Sequence, residues 1–421
     1  MLLAPTLLLN AGSGAAIARP TFSRDFAGEK TLNNGTGPAI TFTRASNATY
    51  FDANGTLQTA ANDTPRFDHS GGSSLGLLIE EARTNSIRNA QAGGAAVGTP
   101  GTGSSNWNIS GSVNGLTRTL ASGSVNGFSY IDVSFAGTAT SAFTLFFDPE
   151  QQTQIVASST QVWTHSVYLA LAAGSVPDCL VGVREGLADG TLTAAATTNH
   201  GSSLTATLQR FSHTRTLTEA TTARVTPIIR MTVANGATIS FTLRIAAPQL
   251  EQGAFPTSYI PTTTAAATRA ADSAVVTPIS SFYNQSEGTF VTDTNKSPLS
   301  GSFPTIWHLT NGTNDTGNVI GFYNPSNSTI SYDASPAFSF AESVSAGIAK
   351  SGFAFSASSS RMAVNGVLEP ASDQAATITT DKASLRLGAK RNGSEPLNGH
   401  IRKIAYWPRR LSNSLLQQLT T

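Results

Sequence analysis

The sequence predicts an all-β protein, with a β-rich N-terminal region followed by two jelly-roll or β-sandwich domains. Three observations carry this expectation. Runs of roughly six to ten residues that alternate apolar and polar recur along most of the chain, clusters of turn formers separate them, and helical periodicity is confined to one terminal segment. The composition agrees: 421 residues with Gly 37 and Pro 19, 39% hydrophobic, only 12% charged, net charge +1. A chain this apolar and this weakly charged is not disordered, and its length suits two to four domains.

The elements follow in order. Residues 1–94 hold short strand candidates such as "AITFTRA" and "GLLIEEA" between Gly/Asn turns, and "TYFDANGTLQT" predicts a hairpin turning at Asn54-Gly55, where both residues tolerate positive φ. "IEEARTNSI" is expected to make one short helical turn, and the Gly/Ala-rich Ala90–Ser105 to form a flexible loop. Residues 95–262 carry "GFSYIDVSFAG", "SAFTLFFD", "QVWTHSVYLAL", "CLVGVRE", "RVTPIIRMTV" and "ATISFTLRIAAPQLEQG", the regular spacing of a jelly roll. Residues 263–421 repeat the style, from "GTFVTDT" and "TIWHLTN" to "GHIRKIAYWPRRLS". Only "SNSLLQQLTT" reads as helix, with Leu411, Leu415, Leu416 and Leu419 on one face and Ser412 as N-cap. Between the two predicted sandwiches, Pro256 and Pro261 fix φ in "LEQGAFPTSYIPTTTAAATRAADS". This stretch reads as an extended tether anchored by Phe255 and Tyr259, so a fragment from Asp272 onward is expected to fold alone.

Several classes are disfavoured. No Lys/Arg cluster supplies the footprint of nucleic-acid binding. The single cysteine, Cys179, cannot build an intrachain disulfide framework. The opening "MLLAPTLLLN" has no basic n-region and is cut by Pro5 and Asn10, so neither a signal peptide nor membrane insertion is expected, and synthesis in the cytoplasm is. The six histidines are dispersed without metal spacing, and no nucleophile elbow, P-loop or dinucleotide fingerprint occurs. Glu80-Glu81 is expected to form structural ion pairs with Arg66 or Arg83.

"ITFTRASNATYFDANGTLQTAANDTPRFDH", "GLLIEEARTNSI" and "APQLEQGAFPTSYIPTTTAAATRAAD" together resemble a recurring module of tailed-phage and gene-transfer-agent virion proteins, the head spikes and tail fibres. Residues 95–262 look like a carbohydrate-binding-module jelly roll. The segment with "RMAVNGV", "LRLGAKRNG" and "PLNGHIRKIAYWPRRLSNSLLQQL" resembles the laminin-G/concanavalin-like lectin sandwich. The resemblance implies a virion protein, made in a bacterial cytoplasm, that captures host surface polysaccharide without catalysis. It also implies that residues 1–94 attach to other virion proteins and that copies assemble as a trimer, or as a pentamer at a capsid vertex. A polysaccharide depolymerase and a purely structural decoration protein are the alternatives.

Sugar binding needs an exposed aromatic face with amide or carboxylate hydrogen bonds around it. Trp107, Trp163 and Trp407 fall inside apolar patterns and read as core, the last against the terminal helix. Trp307 and His308 precede a polar, Asn-rich loop; with Tyr323, Tyr332 and Asn365 they form the sequence's candidate sugar face on the C-terminal sandwich. No cofactor is expected beyond a weakly held calcium ion, for which Asn311, Asn314 and Asp315 offer oxygens.

Overall fold

The alternating pattern of the sequence becomes strand nearly everywhere it occurs. The computed structural model describes residues 18–108, 112–147, 155–176, 178–296, 303–313, 319–324, 329–333, 338–339, 347–369 and 381–421. It is 51% strand and 4% helix, and among the described residues every strand pairing is antiparallel. The predicted terminal helix is Asn413–Thr420, capped by the Ser412 hydroxyl accepting from Leu415 N–H. Its Leu416 is buried against Ala354 and Ala363. "IEEARTNSI" is not helical: strand Ser73–Ile79 ends at its first residue and a short strand, Arg83–Asn85, follows.

Two sheets enclose the core of the middle region. One runs Gln209–Thr216, Val162–Gly174, Thr238–Gln252, Phe128–Thr138, Leu116–Val125, Ser112–Val113 in space. The other runs Leu192–Asn199, Leu180–Gly186, Arg224–Met231, Phe143–Phe147, Trp107–Asn108. Their inward residues, among them Phe135, Phe147, Trp163, Val181 and Phe241, make one apolar cluster, the two-layer arrangement of a β-sandwich.

The second sandwich departs from the expected order of the chain. Its larger sheet has strands Gly347–Ser356, Glu287–Lys296 and Gly399–Trp407 at its centre, and next to these come Ser73–Ile79 and Phe67–Ser70. Strand Phe22–Asp25 also pairs with Gly399–Trp407, placing Phe22 opposite Tyr406. The facing sheet begins with Thr41–Thr43, paired to Ser273–Val276, and continues through Ser384–Leu387, Thr305–Thr310 and Val319–Asn324. Phe22, Phe26, Phe42, Leu77 and Ile79 lie in the same core as Phe290, Trp307, Phe353 and Tyr406. Residues 22–79 are thus part of the C-terminal sandwich, not a separate layer of an N-terminal region ending near 94. The jelly roll is inserted between the two halves of that sandwich. The contact at Gly76 shows how closely the halves meet: at φ +91, a Cβ there would stand 2.4 Å from the Ile401 carbonyl oxygen, so only glycine fits.

The predicted hairpin is present, with Ala48–Phe51 against Leu57–Ala60 and the turn at Asn54-Gly55. It reaches the inserted jelly roll: Phe51 and Leu57 pack on Phe128 and Tyr168, and Leu57 N–H donates to Asn126 C=O at 2.9 Å.

Candidate functional site

The stretch from Leu250 to Ser273 is a joint and not a loose tether. The chain leaves the sandwich along Arg83–Asn85 and returns along Ala267–Arg269, and these two strands pair with each other. Phe255 and Tyr259 are buried, as expected of anchors, with the Arg83 guanidinium 4.8 Å from the Phe255 ring centroid. What the proline pattern did not reveal is a buried polar circuit around them. The Asn85 amide donates to Ile260 C=O at 3.0 Å and its oxygen accepts from Leu250 N–H. Gln249 accepts from Ile260 N–H at 2.7 Å, and Glu251 accepts from the Thr257 N–H at 2.9 Å.

The charged part of the circuit joins residues 40–69, 76–87 and 247–272. Arg44 and Arg66 both donate to Asp272, at 3.1 and 2.5 Å, and Glu80 N–H donates to the same carboxylate at 2.9 Å. Arg66 and Arg269 also pair with Glu80, at 2.8 and 3.0 Å. Ser258 gives Glu80 its N–H at 2.8 Å and its hydroxyl at 2.7 Å. Burial alone would push the Glu80 carboxyl up, but Arg269, Arg66 and the Ser258 donors outweigh it and hold the group well below the usual carboxylate range. Glu81 pairs with Arg83 instead. The expected structural role of the Glu80-Glu81 pair is therefore met by two separate bridges.

Above this circuit a cleft of about 350 Å³ opens where the sandwich, the hairpin and the jelly roll meet. That volume is at the small end of ligand sites, which span roughly 300–1,000 Å³. The hairpin contributes Tyr50 and Phe51, the jelly roll Tyr168 and Arg210, the joint Thr257 and Ser258, and the sandwich Asp68, Asn295, Asn398 and His400. Asp68 accepts from Phe51 N–H at 2.7 Å and its other oxygen lies 3.1 Å from His400 Nε2. Half-buried aromatic side chains beside amide, carboxylate and guanidinium groups can stack on and hydrogen-bond a polar ring.

The candidate sugar face read from the sequence does not assemble. Strand Thr305–Thr310 lies between Val319–Asn324 and Ser384–Leu387, and all its residues are buried. The Trp307 ring is fully buried and stacked on Phe290, centroids 4.2 Å apart. His308, on the opposite side, accepts from Arg391 N–H at 3.0 Å. Tyr323 is buried with its hydroxyl 2.6 Å from Thr294 Oγ1, and burial pushes it up to about 12. These three have no face to present to a sugar. Tyr332 lies opposite Gly321 in strand Thr329–Asp333. Asn365 is exposed, but in the other sheet, at a tight turn (φ 48) where its side chain accepts from Lys350 N–H. Of the calcium candidates, Asn311 donates to Asp381 at 2.8 Å and its oxygen accepts from Thr313; Asn314 and Asp315 lie outside the described residues. Among the described residues no group of three or more His, Cys, Asp or Glu side chains is placed to hold a metal ion. Trp107 and Trp163 are core residues, and the Trp407 indole donates to Ala18 C=O at 2.7 Å.

Nothing in the sequence marks the cleft residues locally, because they come from seven separate places between Tyr50 and His400. Tyr50, Phe51, Asp68, Thr257 and Ser258 fall within residues 40–69 and 247–272.

No protein-family model matches the chain, and no curated protein does. Among solved structures, a Ruminococcus gnavus sialidase CBM40 bound to α2,6 sialyllactose matches at 15% identity and TM-score 0.27, over 33% of this chain and 85% of that one. A Trypanosoma rangeli sialidase in complex with the inhibitor DANA matches at 9% and 0.28, over 73% and 66%. The tandem CBM22 domains of Paenibacillus barcinonensis Xyn10C match at 10% and 0.24, over 75% and 97%. At such scores the likeness carries no argument about ligand or activity.

Proposed function

We propose that the protein is a non-catalytic glycan-binding component of a phage or phage-like particle, a spike or fibre that holds host surface polysaccharide in the joint cleft. The observation that carries this reading is the cleft itself, lined by Tyr50, Phe51, Tyr168 and Arg210 together with Asn295, Asn398 and the Asp68–His400 pair of the sandwich. The resemblance of residues 40–90 and 245–273 to virion proteins supports the particle location. One short sugar segment in a cleft of this size is held weakly, so several copies are needed. A trimer on a fibre or a pentamer at a vertex would raise apparent affinity by roughly 10²–10⁴.

The test is calorimetric titration of the full chain with host surface polysaccharide, against Tyr50→Ala and Asn295→Ala. Both variants should bind about tenfold more weakly or worse while melting within a few degrees of wild type, the loss being that of one stacking face or one hydrogen-bonding amide. Unchanged binding in both would remove the cleft as the site. A depolymerase is the second reading, favoured by the carboxylate–imidazole pair Asp68–His400 in the cleft. Release of reducing ends that is lost in Asp68→Asn would establish it.

A further inference from the structure

Among the buried arginines of this protein, most face an acid. Arg44, Arg66 and Arg269 meet Asp272 and Glu80, and Arg215 meets Glu185 at the far end of the jelly roll. Buried Arg24 and Arg118 use backbone carbonyls; Arg210, half-buried on the wall of the cleft and 5.7 Å from the Tyr168 ring centroid, also lacks an acid. It spends one Nη on Thr257 C=O at 2.6 Å and the other on Ser166 Oγ at 2.8 Å, both neutral acceptors. Its Nε is buried without a partner, and among the described residues no carboxylate pairs with it. Of its five N–H donors, several are unused.

A second, independent group on the opposite wall has the same deficit. Asn398 is about nine-tenths buried or more (5% exposed), and its Oδ1 accepts from Glu81 N–H at 2.9 Å. That contact fixes which way the amide points, because a backbone N–H needs the oxygen and not the NH₂. The Asn398 Nδ2 is left buried with no partner. A buried unmet donor costs about as much as a lost hydrogen bond and normally has a partner. Two such donors border one cleft, from two different sandwiches, and both ask for acceptor oxygens.

Resting on the reading of the cleft as the glycan site, we propose that it selects an anionic sugar unit, one bearing a carboxylate or a phosphate, whose oxygens accept from the Arg210 guanidinium beside Asn398. A charged acceptor makes the stronger bond with a guanidinium, and it supplies the anion that no described side chain gives Arg210. Asp68 does not oppose this strongly, since one of its oxygens is held by Phe51 N–H and the other by His400. Neutral sugars gain only the stacking surface and the amides.

The experiment titrates the full chain, at physiological salt, with three probes: oligogalacturonate, glycerol-phosphate teichoic acid and neutral dextran oligosaccharides. At least one acidic probe should bind about tenfold or more tightly than dextran, and which of the two does so identifies the anion. Arg210→Gln should weaken the acidic probe by about tenfold or more, the scale of one charge-assisted bond, with dextran unaffected. Arg210→Lys should retain part of the affinity. Asn398→Asp keeps the acceptor for Glu81 N–H but puts a negative charge where the donor was, and should weaken only the acidic probe. Arg230→Gln, which removes an exposed cation elsewhere on the jelly roll, should change nothing. Melting curves of each variant separate unfolding from lost recognition. Equal affinity for acidic and neutral probes, or an Arg210→Gln protein that binds the acidic probe as wild type does, overturns the anion selectivity and leaves the glycan site standing if Tyr50→Ala still abolishes binding. An Arg210→Gln protein that loses acidic and neutral probes alike makes Arg210 a positioning residue for Thr257, and the proposal fails. No binding of either acidic probe overturns the selectivity, and the site itself stands or falls on the host-polysaccharide titration.

Discussion

Replacing Asp272 with Asn should unfasten the joint between the two sandwiches. Both carboxylate oxygens are fully used: Oδ1 by Arg44 at 3.1 Å, and Oδ2 by Arg66 at 2.5 Å and by Glu80 N–H at 2.9 Å. All three side chains of the two ion pairs are 0% exposed. An amide at this position keeps the shape but removes the charge, and whichever way it turns, its NH₂ faces a donor. Breaking a buried pair by changing one partner costs about 3–5 kcal/mol, because the remaining charge stays out of water. Against a typical total of about 5–15 kcal/mol this is a large fraction. The control is Lys403→Ala, which breaks the Lys403–Asp25 pair at 2.8 Å where the lysine side chain is 53% exposed; exposed pairs contribute about 0–1 kcal/mol. Urea unfolding followed by tryptophan fluorescence reads both sandwiches at once, since Trp107 and Trp163 lie in the jelly roll and Trp307 and Trp407 in the other, all buried. Protease should also cut the Leu250–Ser273 stretch sooner in Asp272→Asn. A loss of about 1 kcal/mol or less, no larger than that of Lys403→Ala, would refute the view that the circuit holds the joint.

Three further outcomes follow from the same coordinates. A fragment beginning at Asp272 should not unfold cooperatively, because it lacks Phe22, Phe42, Leu77 and Ile79 from its core; a chain in which a short linker replaces residues 87–260 should. Cooperative melting of the first, or collapse of the second, would show that the sandwich is divided elsewhere. Trp307→Ala should cost about 3–5 kcal/mol as a core truncation without altering glycan affinity at temperatures where the variant is folded; a stable variant with weakened binding would put Trp307 back among the ligand contacts. Acid should destabilise the jelly roll. His165 is buried beside Phe147, and burial lowers it from 6.5 to about 3. It therefore takes up a proton at mildly acidic pH only in the unfolded chain. Stability is complete above about pH 6.5 and falls as pH drops toward 3, with His200 and His213, also lowered by burial, adding in the same sense. His165→Gln should flatten that slope, and identical slopes would discount His165.

What the sequence determined alone is the local structure. Strand and turn are set by neighbours one to four residues apart, through the period-two alternation of "SYIDVSFAG", the positive φ of Gly55 in a turn held by Asp52, and the hydroxyl of Ser412 over the first turn of Asn413–Thr420. It also marked the three stretches that matter, since "TFTRASNATYF", "LLIEEARTN" and "PQLEQGAFPTSYIP…TRAAD" carry nearly every member of the buried circuit. The tertiary structure decided which strands pair. Phe22 meets Tyr406 and Thr41 meets Val275 across hundreds of residues, and a strand's own sequence shows which face it buries but not which chain segment lies beside it. That is why residues 22–79 read as a separate region, and why Trp307, beside a polar loop in sequence, lies between two neighbouring strands in the core. The cleft has the same origin: Arg210 and Asn398 are ordinary residues in their own segments, and only the packing of the two sandwiches brings them to one cleft.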